Sequence, residues 1–170
     1  NLIDIQDLLT HEGGWNSALP VVGYDPMFLD EIIASVGAPP GFVIRRTGEW
    51  PVLQTTLVPL DLVLRNLIEN AVKHHDRPDG KVIVSATLDD LVLSISVSDD
   101  GAGIPSDWHE AIFEPFRRIS DEPSTESSGI GLALVRRTIE TAGGRIQVRS
   151  DPALRRGSEF IVRWPRSAVK

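Results

Sequence analysis

Residues 66–74 read Asn-Leu-Ile-Glu-Asn-Ala-Val-Lys-His and lie in a long helical pattern that Pro59 opens. Asn66, Asn70 and Lys73 are spaced so that a helix places them on one stripe, while the opposite stripe is aliphatic. Two carboxamides and an ammonium group suit phosphate oxygens and a Mg²⁺ ion, which takes few protein ligands because it keeps several waters. The alternative for this stripe is an ordinary solvated helix face.

A glycine-rich loop follows an apolar strand at residues 99–103, which read Asp-Asp-Gly-Ala-Gly. Gly101 and Gly103 would let the backbone approach a flat ligand closely because they have no Cβ. The carboxylate of Asp99, at the end of the strand, can accept a hydrogen bond from an exocyclic amine such as that of adenine. An Asp-Gly turn without a ligand is the alternative.

A second glycine-containing segment enters a helix at residues 127–132, which read Ser-Ser-Gly-Ile-Gly-Leu. Free N–H groups and the helix dipole favour an anion at such a start, although a serine N-cap would look the same. The preceding residues 119–128 are polar, and a mobile lid over a nucleotide is predicted at about 117–130. The chain has neither a Walker A sequence nor a Gly-x-Gly-x-x-Gly run, so a nucleotide would be held by other means.

The remaining pattern predicts three main helices and six strands, most of them paired as hairpins. We expect an α+β two-layer sandwich, with about three helices covering one face of a mixed, mostly antiparallel sheet. The expected elements are a linker over 11–25, helices from Pro26 to Val36, Pro59 to His75 and Gly129 to Ala142, strands at 42–44 and 52–54 around the turn Thr47-Gly48, a hairpin of 81–88 with 91–98, and a final strand pair of 145–149 with 158–162.

Composition narrows the class of protein. The chain has 170 residues, which suits one domain, and it has no cysteine for a disulfide or a thiolate metal site. A net charge of −7 disfavours nucleic acid as a partner. No apolar run is long enough for a membrane span. The helical pattern at Leu2–Leu9 begins at once and without a Met, which predicts a piece of a longer protein.

Taken in order, these motifs resemble the conserved boxes of the histidine kinase, gyrase, Hsp90 and MutL superfamily. The resemblance implies a Bergerat-type ATP-binding fold over residues 19–170, after the end of a dimerisation helix and a linker in residues 1–18. The segments that carry it are the N box at 66–74, the G1 box at 99–103, the F box at 112–116 with Arg118, the G2 box at 129–132, and the start of the last strand at 157–160.

The resemblance also implies roles for single residues, with ATP and Mg²⁺ as cofactors. Asp99 would bind the adenine amine and Asn70 the Mg²⁺ ion. Asn66, Lys73 and Arg118 would act on the phosphates as the catalytic residues. Other residues are expected to line the nucleotide pocket: His74, Gly101, Gly103, Ile104, Phe116, Ser128, Gly129, Ile130, Gly131 and Leu132.

Asn66 separates two classes of relative. Gyrase-like and Hsp90-like ATPases carry at this place a Glu that activates water, and a carboxamide cannot take that proton. The resemblance therefore implies a sensor histidine kinase that phosphorylates a histidine on an upstream dimerisation domain, outside this chain, and then a response regulator. An anti-sigma-type serine kinase and a non-catalytic nucleotide-sensing domain are the alternatives.

The expected setting is cytoplasmic, whether or not the parent is anchored in a membrane. The parent is expected to be a homodimer, whereas this piece, without the dimerisation helices, is expected to be monomeric. Of the chain's histidines, His75 is expected to be a solvated helix end and His109 to be structural.

Overall fold

A computed structural model describes residues 21–24, 26–48, 50, 53–89, 92–119 and 129–165. Short 3₁₀ turns at Ser106–Trp108 and Ala111–Phe113 lie between the fifth strand and the third helix. The elements in chain order are β1 Val21–Tyr24, α1 Pro26–Ser35, β2 Phe42–Thr47, β3 Leu53–Thr56, α2 Leu57–Lys73, β4 Gly80–Leu88, β5 Val92–Asp99, α3 Gly131–Thr141, β6 Arg145–Arg149 and β7 Glu159–Pro165.

The main sheet has the strand order β2-β4-β5-β7-β6, and the β2–β4 pair alone is parallel among the described strands. Alternation along β4 and β5 gives the sheet two unlike faces. Val84 and its partner Val97 are buried, whereas the adjacent pair Ser85 and Ser96 is half-buried on the opposite face. One face therefore packs on the helices and the other is polar.

The helix α2 provides the centre of the core. Its apolar residues recur every three or four positions, so they form one continuous stripe toward the sheet. Helices α1 and α3 pack on either side of it. The α2 residues with no exposed surface are Leu60, Val63, Leu64, Leu67 and Ile68.

The predicted fold class, its three main helices and the strands at 42–44 and 52–54 are confirmed, but one linker assignment and one strand pairing are wrong. The predicted linker 11–25 contains β1, which pairs with β3 in a separate two-stranded sheet. The strands expected around Thr47-Gly48 form no hairpin, because β2 pairs in parallel with β4. Both errors have one cause: the partner strand is distant in sequence, so no local turn signal reveals the pairing.

Other predictions differ less or fall outside the described residues. The long helix begins at Leu57, two positions before Pro59, since a proline within the first turn removes no intrahelical hydrogen bond. The expected helix at Leu2–Leu9 and the domain boundary at residue 18 lie outside the described part. Within that part, no helix combines the length and apolar character that crossing a bilayer requires.

Candidate nucleotide-binding site

The stripe predicted on α2 meets the start of α3. The side chain of Asn66 donates from Nδ2 to the carbonyl of Leu62 at 2.9 Å, which fixes the orientation of the amide. A Cβ placed on Gly131 would lie 3.0 Å from Asn66 Oδ1. The absence of a side chain at Gly131 therefore lets the N-box helix and the G2 segment approach each other.

One turn further along, α2 presents groups with few protein partners. The carboxamide of Asn70 is half-buried, and among the described residues it makes no hydrogen bond. Lys73 Nζ lies 3.9 Å from Glu69 Oε2, and the lysine side chain is 54% exposed. A pair this long and this exposed contributes little, so the ammonium group is available to an anion.

Positive charge gathers where α2 ends. Burial lowers the pKa of His74 from its ordinary value of 6.5, and the charges of Lys73 and Arg118 lower the pKa further. These effects require Arg118 to lie near His74, although it belongs to the F box rather than to α2. The structure therefore brings together three of the residues that were predicted to face phosphate.

The F box is anchored on the core, which sets the position of Arg118. Phe113 is buried and meets the ring of Phe160 edge-on, with centroids 6.3 Å apart. The guanidinium of Arg136, on α3, lies 5.4 Å from the centroid of the Phe113 ring and bonds Glu110 at 2.9 Å. Helix α3 thus holds both the glycine segment and the F box.

The carboxylate of Asp99 is fixed through both oxygens. Its Oδ1 accepts the N–H of Gly101 at 2.9 Å and that of Ser158 at 3.3 Å. Its Oδ2 accepts the hydroxyl of Ser158 at 2.5 Å. Since each oxygen of a carboxylate can accept more than one hydrogen bond, a ligand donor can still be added. Sequence reasoning had noted Ser158 only as part of a strand start.

Two glycines let the G1 loop lie directly against the turn that precedes β7. A Cβ on Gly157 would lie 2.1 Å from the carbonyl oxygen of Asp99, and one on Gly103 would lie 2.9 Å from Ser150 Oγ. Both glycines have positive φ, of 92° and 85°, which other residues rarely adopt. Ser150 joins the two segments, since its hydroxyl donates to Gly157 O and accepts from Ile104 N, each at 2.8 Å. Sequence reasoning missed Ser150, for which no motif gives a signal.

The ends of the F box and the G2 segment are joined. The N–H of Phe116 donates to the carbonyl of Gly129 at 2.9 Å. Phe116 has a φ of 64° and is 74% exposed, and Ile130 is 41% exposed. Of the lid predicted over about 117–130, residues 120–128, which include Ser128, lie outside the described residues.

The burial of His75 contradicts the prediction made for it. It was expected at a solvated helix end, but its side chain is only 1% exposed. The ring packs edge-on against Phe42 with centroids 5.2 Å apart, and Nε2 lies 3.1 Å from Asp100 Oδ1. The error arises because Phe42 and Asp100 are distant in sequence. His109, expected to be structural, lies with Nε2 3.1 Å from the carbonyl of Ile104.

The comparison with known families agrees with this arrangement. Residues 56–168 match the family described as "Histidine kinase-, DNA gyrase B-, and HSP90-like ATPase". The chain belongs to this family.

Members of this ATPase family that are similar to the chain include sensor kinases. The alginate biosynthesis sensor protein KinB of Pseudomonas aeruginosa is 35% identical over 117 residues, which cover 69% of this chain and 19% of KinB. The adaptive-response sensory kinase SasA of Synechococcus elongatus is 38% identical over 120 residues, which cover 69% of this chain and 30% of SasA. The chain thus spans less than a third of either relative.

A solved structure also shares the fold. The mycobacterial sensor histidine kinase MprB gives a TM-score of 0.68 at 26% identity, with 85% of this chain and 97% of that chain covered. Fold, family and relatives agree that the chain is an ATP-binding catalytic domain of the sensor-kinase type.

The family implies ATP, and the residues fit a metal bound with it. Among the described residues, no cluster of three His, Asp or Glu side chains could hold a metal alone. Mg²⁺ does not need such a cluster, because it binds through one or two protein oxygens together with phosphates and water. The half-buried amide of Asn70, which has no hydrogen-bond partner in the described part of the chain, is suited to supply one such oxygen.

Proposed function

We propose that the chain binds Mg·ATP and supplies its γ-phosphoryl group to a histidine on an upstream dimerisation domain of the same protein. The observation that supports this most directly is that Lys73, His74 and Arg118 lie around the end of α2, next to the amide of Asn70, which bonds to none of the described residues. The two cations Lys73 and Arg118, together with an amide, suit a triphosphate and its metal.

Asp99 is proposed to select the base. Its oxygens are held by Gly101 and Ser158, so the carboxylate cannot turn away from a ligand. The 6-amino group of adenine would donate to it. A 6-oxo purine would instead present an acceptor to a carboxylate, which leaves both groups unpaired and costs about 1–3 kcal/mol.

The phosphates are proposed to lie between α2 and the start of α3. Asn70 would hold the metal, and Asn66, Lys73 and Arg118 would bind phosphate oxygens, with His74 beside them. The first N–H groups of α3 are available because a helix start leaves them without intrahelical partners. The pocket is proposed to include Gly101, Gly103, Ile104, Phe116, Ser128, Gly129, Ile130, Gly131 and Leu132.

In the proposed reaction, a ring nitrogen of the acceptor histidine attacks the γ-phosphorus as the bond to the β,γ-bridging oxygen breaks. ADP leaves with that bond's electrons, and a Mg²⁺ ion held by Asn70 would supply positive charge to offset the charge on ADP. Such a transfer depends on positioning and charge neutralisation rather than on a protein nucleophile. Asn66 supports transfer over hydrolysis because its amide cannot act as a general base toward water.

The wider setting is part of the proposal. The phosphohistidine would pass its group to an aspartate of a response regulator receiver domain. The parent would act as a homodimer with its kinase domains in the cytoplasm, where ATP is available. The relatives KinB and SasA, which are named as sensory proteins and are much longer than this chain, support a multidomain parent.

The base contact is tested by calorimetric titration of ADP into the chain and into Asp99→Asn. The variant keeps the size of the side chain but presents an amide where a carboxylate accepts hydrogen bonds. We expect an affinity loss of about 30- to 100-fold, equivalent to 2–3 kcal/mol. Asp89→Asn, at a hairpin end, is the control. Equal ADP affinity in Asp99→Asn and wild type would contradict the assignment.

The transfer step is tested on a longer form of the protein that includes the upstream helices, with γ-labelled ATP. Label that survives alkali and is lost in acid identifies phosphohistidine. Acid-stable label on serine of an added protein substrate would favour an anti-sigma-type serine kinase. Tight ATP binding with no labelled protein would favour a nucleotide-sensing domain.

A further inference from the structure

The buried ring of His75 lies directly behind the loop that carries Asp99. A Cβ on Gly80 would lie 2.6 Å from its Nε2, and a Cβ on Gly101 would lie 3.3 Å from its Cδ2. The ring therefore fills the space between the start of β4 and the G1 loop. Because interiors are close-packed, removal of this ring would leave the loop without support on that side.

Hydrogen bonding assigns the direction of the contact with Asp100. The N–H of Arg77 donates to His75 Nδ1 at 3.1 Å, so Nδ1 is the acceptor and Nε2 carries the ring proton. Nε2 then donates to Asp100 Oδ1 at 3.1 Å. The same carboxylate oxygen accepts the N–H of Lys81 at 2.7 Å. One oxygen of Asp100 thus ties the G1 loop to two other segments.

The electrostatics of Asp100 fit this arrangement. Burial raises the pKa of Asp100, but the hydrogen bonds from the Lys81 N–H and from His75 outweigh it, so that the pKa lies below its ordinary value. Ionised Asp100 is therefore the form that the folded state favours. A charged acceptor makes stronger hydrogen bonds than a neutral one, which adds to the hold on the loop.

Asp76, the residue after His75, contacts the segment on the other side of Asp99. Asp76 accepts two hydrogen bonds from Arg156 Nη2, at 2.7 and 2.9 Å. Arg156 also donates from Nε to the carbonyl of Asp100 at 3.4 Å, and it directly precedes Gly157 and Ser158. Consecutive residues after α2 therefore contact both segments that orient Asp99.

We propose that His75 is a positioning residue for base selection: its Nε2–H···Asp100 contact holds the G1 loop so that the Asp99 carboxylate faces the base. His75 itself touches no nucleotide. The inference rests on the proposed role of Asp99 and adds a residue, outside the pocket, on which adenine selectivity depends. It separates His75 from its neighbour His74, which belongs to the phosphate side.

The test compares ADP with IDP, whose base has an oxygen in place of the amine. His75→Leu fills similar volume but can donate no hydrogen bond, and His75→Gln offers an amide N–H to Asp100 and an oxygen to Arg77 N. We expect His75→Leu to lower the ratio of ADP to IDP affinity about tenfold. His75→Gln should restore most of that ratio.

A purely structural effect is recognised with Ile32→Ala, a core truncation on α1, where Ile32 is 1% exposed. This variant should lose stability but keep the wild-type ratio. The inference is overturned if His75→Leu keeps the wild-type ratio, if His75→Gln restores nothing, or if Ile32→Ala lowers the ratio equally. A wild-type chain without preference for ADP would overturn the proposed role of Asp99 itself, and this inference with it.

Discussion

The two sides of the site that are proposed to bind the base and the phosphates are built in opposite ways. Asp99 has both carboxylate oxygens hydrogen-bonded, and its loop is tied down through Asp100. On the phosphate side, the amide of Asn70 has no hydrogen-bond partner among the described residues, and Lys73 makes one long contact. A preorganised group favours specificity, because little freedom is lost on binding. On the proposed function, Asn70 and Lys73 would instead gain partners when the polyanion and its metal bind.

The largest effect is expected from a substitution that disturbs the packing around Asp99, on the proposed base side. Gly157→Ala would place a Cβ 2.1 Å from the carbonyl oxygen of Asp99, at a φ of 92°. Strain and overpacking together should lower the free energy of unfolding by about 3 kcal/mol. ADP binding should fall with it, because Ser158 would move away from Asp99.

Urea unfolding and ADP titration measure both effects of Gly157→Ala. Gly37→Ala is the matched control, since Gly37 also has a positive φ but no atom lies within 4 Å of its added Cβ. The control should lose stability through strain alone and keep its ADP affinity. If Gly157→Ala binds ADP as the control does, the close packing of the loop has no bearing on base recognition.

A smaller effect is expected from a substitution on the proposed phosphate side. Asn70→Ala removes one proposed metal ligand and leaves the base contacts intact. We expect Mg·ATP affinity to fall about tenfold, or about 1.4 kcal/mol, while adenosine affinity stays unchanged. Titrations with and without Mg²⁺ measure this, and Glu31→Gln, an exposed change on α1, serves as control. An equal loss for adenosine would show that Asn70 acts on the fold and not on the metal.

The smallest expected effect is an uptake of protons by His74 when a nucleotide binds. The pKa of His74 is lowered in the folded chain from 6.5, first by burial and then by Lys73 and Arg118. A nearby triphosphate should raise that pKa, because it favours the charged imidazole. Nucleotide binding at about pH 6 should therefore take up a fraction of a proton. Calorimetry in buffers of different ionisation enthalpy measures the uptake, which His74→Gln should remove.

The lowered pKa of His74 also predicts how the stability of the folded chain changes with pH. With a lowered folded pKa, neutral His74 contributes stability above pH 6.5, and this contribution is lost as the pH falls through the folded pKa. Wild type should thus lose more stability than His74→Gln between pH 7 and about pH 5. Parallel loss in both proteins would mean that another group controls acid unfolding.

The sequence predicted best what depends on local spacing. The stripe of Asn66, Asn70 and Lys73 follows from helical periodicity alone, and the G1 loop follows from an acid and glycines after an apolar strand. The hairpin of β4 and β5 was predicted for the same reason, since its turn is local.

The sequence could not predict contacts between segments that are distant along the chain. The burial of His75 depends on Phe42 and on Asp100, and β1 is a strand because β3 lies beside it. Ser150 joins two loops without belonging to any motif. In each case the partner is set by the tertiary fold, so neighbouring residues carry no signal of it.

The hydrogen bond between the Phe116 N–H and the Gly129 carbonyl has an evolutionary consequence. It holds Phe116 and Gly129 side by side, so the segment that joins them is an excursion with a fixed start and end. Doubling the length of such an excursion costs only about 0.6 kcal/mol of closure entropy. Descendants of this sequence can therefore lengthen, shorten or rewrite the excursion while the two boxes at its base keep their register.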